Sequence, residues 1–321
     1  MGDGHSKAND LNDKGVAVGA SIASDENQRR AVLWREGVAT QLAGEGEAMA
    51  INSADRVVGT GHVSGGGPHA FSVNGDGTDL VDLRTLPRQS ESAANGLPRN
   101  GFFPVGKSGR DGFFGGGEAG AMSALPRPGG SIAAEARAVN DDHVICGTIW
   151  PADNVPQACV WRPSTFGGFR FGQLPTLPGW QTASAVAISG DGNMVGGAGM
   201  TTQVGQVRTR ACLWKARGDV HDLGALRDGG NSFATGVALT AFGVQVVGGG
   251  DSANSGAGAG AGDHVAVLWR NGTMYDLNKC IGRNSGWTLR EATAINIRGW
   301  IVGYGVYKNA QGRGFLLIPV P

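Results

Sequence analysis

Glu291-Ala-Thr-Ala-Ile-Asn-Ile-Arg-Gly-Trp-Ile-Val-Gly303 reads as two short strands joined by an Asn-x-x-Gly turn, and the chain repeats it. Copies stand at Glu47-Ala-Met-Ala-Ile-Asn-Ser-Ala-Asp-Arg-Val-Val-Gly59, Glu135-Ala-Arg-Ala-Val-Asn-Asp-Asp-His-Val-Ile-Cys-Gly147 and Ser184-Ala-Val-Ala-Ile-Ser-Gly-Asp-Gly-Asn-Met-Val-Gly196. A shorter one is Leu11-Asn-Asp-Lys-Gly-Val-Ala-Val-Gly19. The turn residues Asn12, Asn52, Asn140, Ser189 and Asn296 each lie seven positions before the closing glycine. A unit that recurs in this way organises the whole fold.

Outward from this pair, called strands A and B, the repeat continues. Strand C is Ala-x-Leu-Trp or a relative of it, at residues 31–34, 158–161, 211–214 and 266–269. A hairpin such as Trp34-Arg-Glu-Gly or Trp269-Arg-Asn-Gly then leads into strand D. Copies of strand C counted at Trp34, Val73, about Ser123, Trp161, Trp214, Trp269 and Leu317 give seven units. Four short strands every 40–50 residues or so is the signature of a β-propeller, whose sheets bury their faces only against neighbours. The expectation is one all-β domain over residues 1–321, a seven-bladed β-propeller of four-stranded antiparallel blades. The third unit, residues 86–133, is degenerate and glycine-rich; the sixth carries a Gly/Ala/Ser-rich loop at residues 249–263. The seventh ends after strand C, so the last blade is three-stranded or is completed by residues upstream.

Composition agrees. Glycine is 57 of 321 residues, but it recurs at turns between apolar strands, which separates an ordered β protein from a disordered one. With 27 basic and 27 acidic side chains the formal net charge is zero, so nothing draws the chain to nucleic acid or to an anionic membrane. No apolar run is long enough to span a bilayer, and Met1-Gly-Asp-Gly-His-Ser-Lys-Ala-Asn9 has no apolar core of a signal peptide. The chain begins inside a repeat, which implies either synthesis without a signal or an absent upstream segment. Cys146, Cys159, Cys212 and Cys280 form no CxxC pair, and the repeat positions of Cys159 and Cys212 hold Val32, Phe71 and Val267 elsewhere. They read as free, mostly buried apolar residues.

His69-Ala-Phe, Ala-x-Ala-Ile-Asn-x-x-Gly-x-Val-Val-Gly, Ala-x-Leu-Trp, the Asp-Leu after the hairpin and the C-terminal Gly-Phe-Leu-Leu-Ile-Pro together resemble the HAF family of extracellular repeats. The resemblance covers most of the chain. It implies a propeller-like fold and a secreted or periplasmic location, and no catalytic residues.

Several motifs invite sharper readings. Gly101-Phe-Phe-Pro-Val-Gly-Lys-Ser108 satisfies the P-loop pattern, but the following glycines make a poor helix, and Val105-Gly-Lys-Ser is this unit's version of strand B. Asp82, Asp222 and Asp276 recur before Leu in strand D and read as caps, and Trp34, Trp161, Trp214 and Trp269 read as inter-blade packing. Asn74-Gly-Asp-Gly and Gly190-Asp-Gly-Asn lack the distal Glu of a calcium loop.

More weight falls on Glu47, Glu135 and Glu291, each five residues before the turn residue at the start of an innermost strand A. Three carboxylates at a channel mouth would raise one another's pKa or recruit a divalent cation; the alternative is pairing with Arg137, Arg290 or Lys7. The same face carries the B–C and D–A loops with His62, His69, Trp150, Trp180, His264, Trp287 and Tyr307. Two functions follow. One is a monomeric binding module that engages a small polar molecule, carbohydrate or peptide through Glu47, Glu135, Glu291, Arg137, Arg290, Trp150, Trp180 and Trp287, without a resident cofactor. The other is a lyase, hydrolase or cyclase using His62, His264 or Tyr307 as acid or base. Either way the ligand is expected on the face of these loops, because the opposite face offers only short, uniform turns.

Overall fold

The structure is a computed structural model that describes residues 4–22, 28–63, 66–117, 120–201, 207–253, 264–308 and 310–320. It is all-β and built from antiparallel sheets taken in chain order. Strands β1 (His5–Leu11), β2 (Ala17–Ile22), β3 (Arg29–Arg35) and the long β4 (Val38–Ile51) begin it. Residues 38–45 of β4 close this first sheet on β3, and residues 46–51 open the second on β5 (Arg56–Gly61), followed by β6 (His69–Asn74) and β7 (Val81–Arg84).

Four four-stranded sheets follow. They are β8 (Ser92–Gly96), β9 (Val105–Ser108), β10 (Asp111–Phe114) and β11 (Ser123–Ala124); then β12 (Ala133–Val139), β13 (Ile145–Trp150), β14 (Gln157–Pro163) and β15 (Phe169–Gln173). Next come β16 (Thr182–Ile188), β17 (Met194–Thr201), β18 (Val207–Trp214) and β19 (Val220–Asp222), and then β20 (Ser232–Thr240), β21 (Gly243–Asp251), β22 (His264–Arg270) and β23 (Thr273–Asp276). A three-stranded sheet of β24 (Trp287–Ile295), β25 (Ile301–Tyr307) and β26 (Ala310–Leu317) ends the chain.

The inner strands share one irregularity that explains the repeat. In each, the ladder skips a residue: Asn9, Met49, Asn95, Arg137, Val186, Thr235 or Thr293, the x of Ala-x-Ala. This is a β-bulge, which bends the strand and re-aims the side chain it leaves unpaired. The bulge drives a carbonyl onto the partner strand. A Cβ on Gly19, Gly59, Gly106, Gly147, Gly196, Gly248 or Gly303 would lie 1.9–2.0 Å from the carbonyl oxygen of Lys7, Glu47, Ala93, Glu135, Ser184, Phe233 or Glu291. The closing glycine of the repeat is therefore a space requirement, set by the bulge opposite it.

The turn asparagine has two duties. Its Oδ1 accepts from backbone N–H groups of its own turn, as Asn52 does from Ala54 and Arg56 at 3.0 and 2.9 Å. Its Nδ2 donates to the next sheet: Asn12 to Asn52 O (3.1 Å), Asn52 to Gly101 O (2.7 Å), and Asn296 back to Asn12 O (3.0 Å). All three are buried, so each satisfied amide avoids a desolvation cost. The fourth residue of the turn is left-handed, a conformation glycine takes freely at Gly15, Gly192 and Gly299 and that Asp55 and His143 take under strain.

The core lies between sheets. Phe71 and Val57 pack on Leu33 and Leu42; Trp161 and Ile145 on Leu125 and Val105; Trp214 and Met194 on Val160 and Leu174; Trp269 and Val246 on Val195 and Ala211. The last sheet also meets the first, where Val302 clusters with Ala8, Leu11 and Ala17 and Thr293 Oγ1 donates to Ala8 O at 2.7 Å. The strand C tryptophans bridge as well as pack. Trp161, Trp214 and Trp269 donate through Nε1 to Pro126 O, Pro175 O and Leu223 O on the preceding sheet.

Two expectations need correction or detail. Strand C of the third sheet is β10, around Phe113, rather than the neighbourhood of Ser123, which forms the outer strand β11. Asp111-Gly-Phe-Phe lacks the Ala-x-Leu-Trp signature, yet Phe113 approaches Gly106 as Phe71 approaches Gly59. The P-loop pattern ends on β9, followed by a hairpin at Gly109 and Arg110 and no helix, with Ser108 buried between Glu91 O and Leu86 N. The cysteines are free, with Cys146, Cys159 and Cys212 buried and Cys280 exposed. Burial pushes the Cys146 and Cys212 thiols up to about 12.

Candidate ligand cavity

A cavity of about 440 Å³ is lined by the inner strand of every sheet: β1, β4, β8, β12, β16, β20 and β24. The bulge residues Asn9, Met49, Asn95, Arg137, Val186, Thr235 and Thr293 form its wall, and the A–B turns around Asn12, Asn140, Ser189 and Asn296 form its mouth. Apolar side chains from Leu11, Leu97, Leu239 and Ile297 stand among them. The cavity thus opens at the turn end of the inner strands, the end opposite Glu47, Glu135 and Glu291.

Asp10 is its most unusual group. The other six strands place Ala50, Gly96, Ala138, Ala187, Gly236 and Ala294 at this position. Its carboxylate accepts from Leu11 N at 2.9 Å and Ile51 N at 3.0 Å, tying the first sheet to the second. Burial pushes its pKa up to about 6 and the neighbouring Asp13 adds to the rise, against the two backbone donors. Around it stand Asp13, paired with Arg99, and Asp141, held by Asn100. Asp191 is held by Ser189 and Asn193.

Asn9 and Asn95 donate Nδ2 to Ala48 O and Ala136 O and to Glu47 and Glu135, which leaves each Oδ1 without a partner among the described residues. Arg137 reaches Glu135 at 3.2 Å through Nη2, while its buried Nε has no hydrogen-bond partner among those residues.

The residues read from the sequence fall into local pairings on different sheets. Glu47 meets Arg29 at 2.8 Å and shares with His62 a second cavity of about 300 Å³ that also includes Glu45, Thr60 and Pro68. His62 is exposed, with Nδ1 3.2 Å from Gly66 O. Glu135 pairs with Arg137, and Glu291 accepts from Tyr304 at 3.1 Å. Trp287 packs on Tyr307 with ring centroids 5.0 Å apart. Arg290 donates to His264 O at 3.4 Å, and His264 Nε2 lies 3.3 Å from Asp251, a nearly fully buried carboxylate also held by Arg227 and Asn231. Trp150 ends β13, and Trp180 lies under Arg210 at 5.9 Å. His69 pairs with Asp82 at 3.1 Å inside its own sheet. Asp82, Asp222 and Asp276 each accept the backbone N–H two residues on, as caps. No group of three or more His, Cys, Asp or Glu side chains that could hold a metal ion occurs among the described residues.

Of the cavity's polar wall, sequence reasoning singled out Arg137 alone. Asp10 was legible as the one acidic residue in the Ala-x-Ala frame, once Ala8-Asn-Asp-Leu-Asn12 is aligned with its sister copies.

The fold is propeller-like. No protein-family model and no curated protein matches the chain. Among solved structures it is similar to puromycin hydrolase, with TM-score 0.57 and 13% identity over 100% of this chain and 55% of that one. A mutant of puromycin hydrolase complexed with PGG gives 0.58 and 15% over 99% and 55%. The chain spans about half the length of these structures.

Proposed function

We propose that the chain is a closed seven-bladed propeller of the HAF type that works as a binding module, taking a small polar molecule, carbohydrate or peptide terminus in the cavity on its axis. What supports closure is the last sheet's bonding to the first through Thr293, Asn296 and Val302. What carries the binding reading is a cavity of ligand size, about 440 Å³, at which all seven inner strands converge with unlike side chains on a repeated frame. Packing alone would repeat one residue there, as it repeats the closing glycine. The open Oδ1 atoms of Asn9 and Asn95 and the Asp10 carboxylate accept, so the ligand brings several hydroxyl or amine donors.

The test is a thermal-shift screen of monosaccharides, disaccharides, amino acids and short peptides. Hits lost in Met49→Trp, which fills the cavity, and kept in His62→Ala support the reading. Hits indifferent to Met49→Trp overturn the site.

One observation favours an enzyme as the second reading. His264 Nε2 lies 3.3 Å from the buried Asp251 Oδ1, which makes no hydrogen bond in this geometry but sets an imidazole beside a carboxylate, the pair of groups that acid–base sites use. Hydrolysis of puromycin is the first activity to assay, since this chain is similar in fold to about half of puromycin hydrolase. Activity that survives both His264→Gln and Asp251→Asn excludes this pair.

A further inference from the structure

The side chains that line the cavity offer hydrogen bonds unequally. Their amide and hydroxyl donors are already committed to the protein. Asn9 and Asn95 give Nδ2 to Ala48 O and Ala136 O at 2.9 and 2.8 Å, and Thr235 and Thr293 give Oγ1 to Ala292 O and Ala8 O at 2.6 and 2.7 Å. Each of these bonds runs from one inner strand to the inner strand of the next sheet, so the donors tie the sheets together. The two guanidiniums of the lining are turned to carboxylates, Arg137 to Glu135 at 3.2 Å and Arg99 to Asp13.

The acceptors are left over. Oδ1 of Asn9 and of Asn95 has no partner among the described residues. Asp10, Asp141 and Asp191 also line the cavity, and neutral groups hold all three: Asp10 accepts from Leu11 N and Ile51 N, Asp141 from Asn100, and Asp191 from Ser189 and Asn193. Among the described residues no cation pairs with any of them. An ionised carboxylate has about four lone-pair sites, so each keeps room for further donors. Asp10 shows what the missing charge costs, since burial and the nearby Asp13 hold its pKa up at about 6.

This one-sidedness sorts the ligand classes. A carboxylate or phosphate only accepts, and would bring negative charge to a wall of acceptors. A hydroxyl brings acceptor lone pairs along with its one donor, and finds the wall's amide and hydroxyl donors taken. An ammonium brings three donors, no acceptor and a positive charge. The apolar bulge residues Met49 and Val186, with Leu97 and Leu239, supply surface for a hydrocarbon stem. We propose that the cavity selects an organic amine, one or more primary ammonium groups on a short apolar stem, with Asp10 and the Oδ1 atoms of Asn9 and Asn95 as its acceptors. Asp141 and Asp191 at the mouth draw the cation in. The inference rests on the binding reading above and narrows it.

The probes are diaminobutane, butanediol and succinate, which share one stem length and differ in charge and hydrogen-bonding character. Each is titrated into the full chain and followed by calorimetry and thermal shift. Diaminobutane is expected to bind saturably and at least about tenfold more tightly than butanediol, the factor for one charge-assisted hydrogen bond, with no binding of succinate. Met49→Trp abolishes the binding and added NaCl weakens it. Asp10→Asn weakens it by about tenfold or more. Asp141→Asn combined with Asp191→Asn, at the exposed mouth, weakens it by about two- to fivefold and serves as the charge test should Asp10→Asn fail to fold. Butanediol or succinate binding as tightly as diaminobutane, in a way that Met49→Trp removes, overturns the amine inference and leaves the cavity reading standing. So does the absence of saturable diaminobutane binding when other screened compounds give hits that Met49→Trp removes. Diaminobutane binding that survives Met49→Trp overturns both. Affinity unchanged in Asp10→Asn and in the Asp141/Asp191 double variant overturns the assigned acceptors and with them the inference.

Discussion

The two ends of the inner strands are built on different terms. At the turn end, Asn12, Asn52 and Asn296 repeat one solution, an amide that closes its own turn and reaches to the next sheet. At the starting end the solutions differ: Glu47 and Glu135 both accept from a bulge asparagine of the preceding sheet but pair with different cations, Arg29 and Arg137, and Glu291 meets Tyr304 instead. Between them lies the bulge, where geometry repeats and side chain varies. Repetition marks what the sheets need in order to pack, and variation on a repeated frame marks where chemistry is free to differ. The cavity sits at that variable residue, with the uniform turns around its mouth.

The strictest part of this frame is the glycine facing the bulge. Gly147→Ala places a methyl on Glu135 O and should destabilise by about 4 kcal/mol, among the largest single-site effects, through overpacking. Gly197→Ala on the neighbouring sheet is the control, since a Cβ there meets only Arg210 O at 3.8 Å. Urea midpoints measure both. Equal midpoints would mean that the strands absorb the methyl and that the bulge does not dictate the glycine.

The turn end comes next. Asn52→Ala removes three hydrogen bonds of 2.7–3.0 Å from a buried position and should cost about 2–3 kcal/mol, near 1 for each. A loss under about 0.5 kcal/mol, typical of surface substitutions, would erase the distinction drawn between the two ends.

Much of this frame was legible. The unit, its turn asparagine and its closing glycine stand in the sequence because each answers a backbone constraint that recurs. The cavity's position was not, because a bulge changes which side chain faces inward without changing the alternation that is read. The expected ligand face was taken from loop length and placed at the starting end, with Glu47, Glu135 and Glu291. Strand C of the third sheet was misplaced for a related reason: Phe113 does the work of a tryptophan signature it does not carry.

Asp10 tests the cavity wall by pH. Its folded pKa, about 6, lies above the ordinary 3.8, so the folded state holds the proton more tightly than the unfolded chain. Stability therefore falls as pH rises from about 4 to 6 and stays lower above. Two pKa units set an upper bound near 3 kcal/mol, and partial exposure to solvent leaves about 1–2. Asp10→Asn should flatten this window in urea titrations at pH 4, 5, 6 and 7. A slope unchanged by the substitution would assign it to other groups.

The smallest effect belongs to the starting end. Glu135→Gln keeps an oxygen for Asn95 Nδ2 and loses only the charge facing Arg137, whose side chain is 39% exposed. A partly solvated pair of this kind contributes about 0.5–1 kcal/mol, and salt screens it, so the difference from the unaltered chain should shrink toward zero in 1 M NaCl. The same substitution frees Arg137, whose Nε already faces no acceptor, to turn toward the cavity. Affinity for an acceptor-bearing ligand should then rise while stability hardly moves. A loss above about 2 kcal/mol that persists in high salt would show instead that Glu135 holds up the bulge. The starting end would then be as structural as the turn end, and its variety would need another cause.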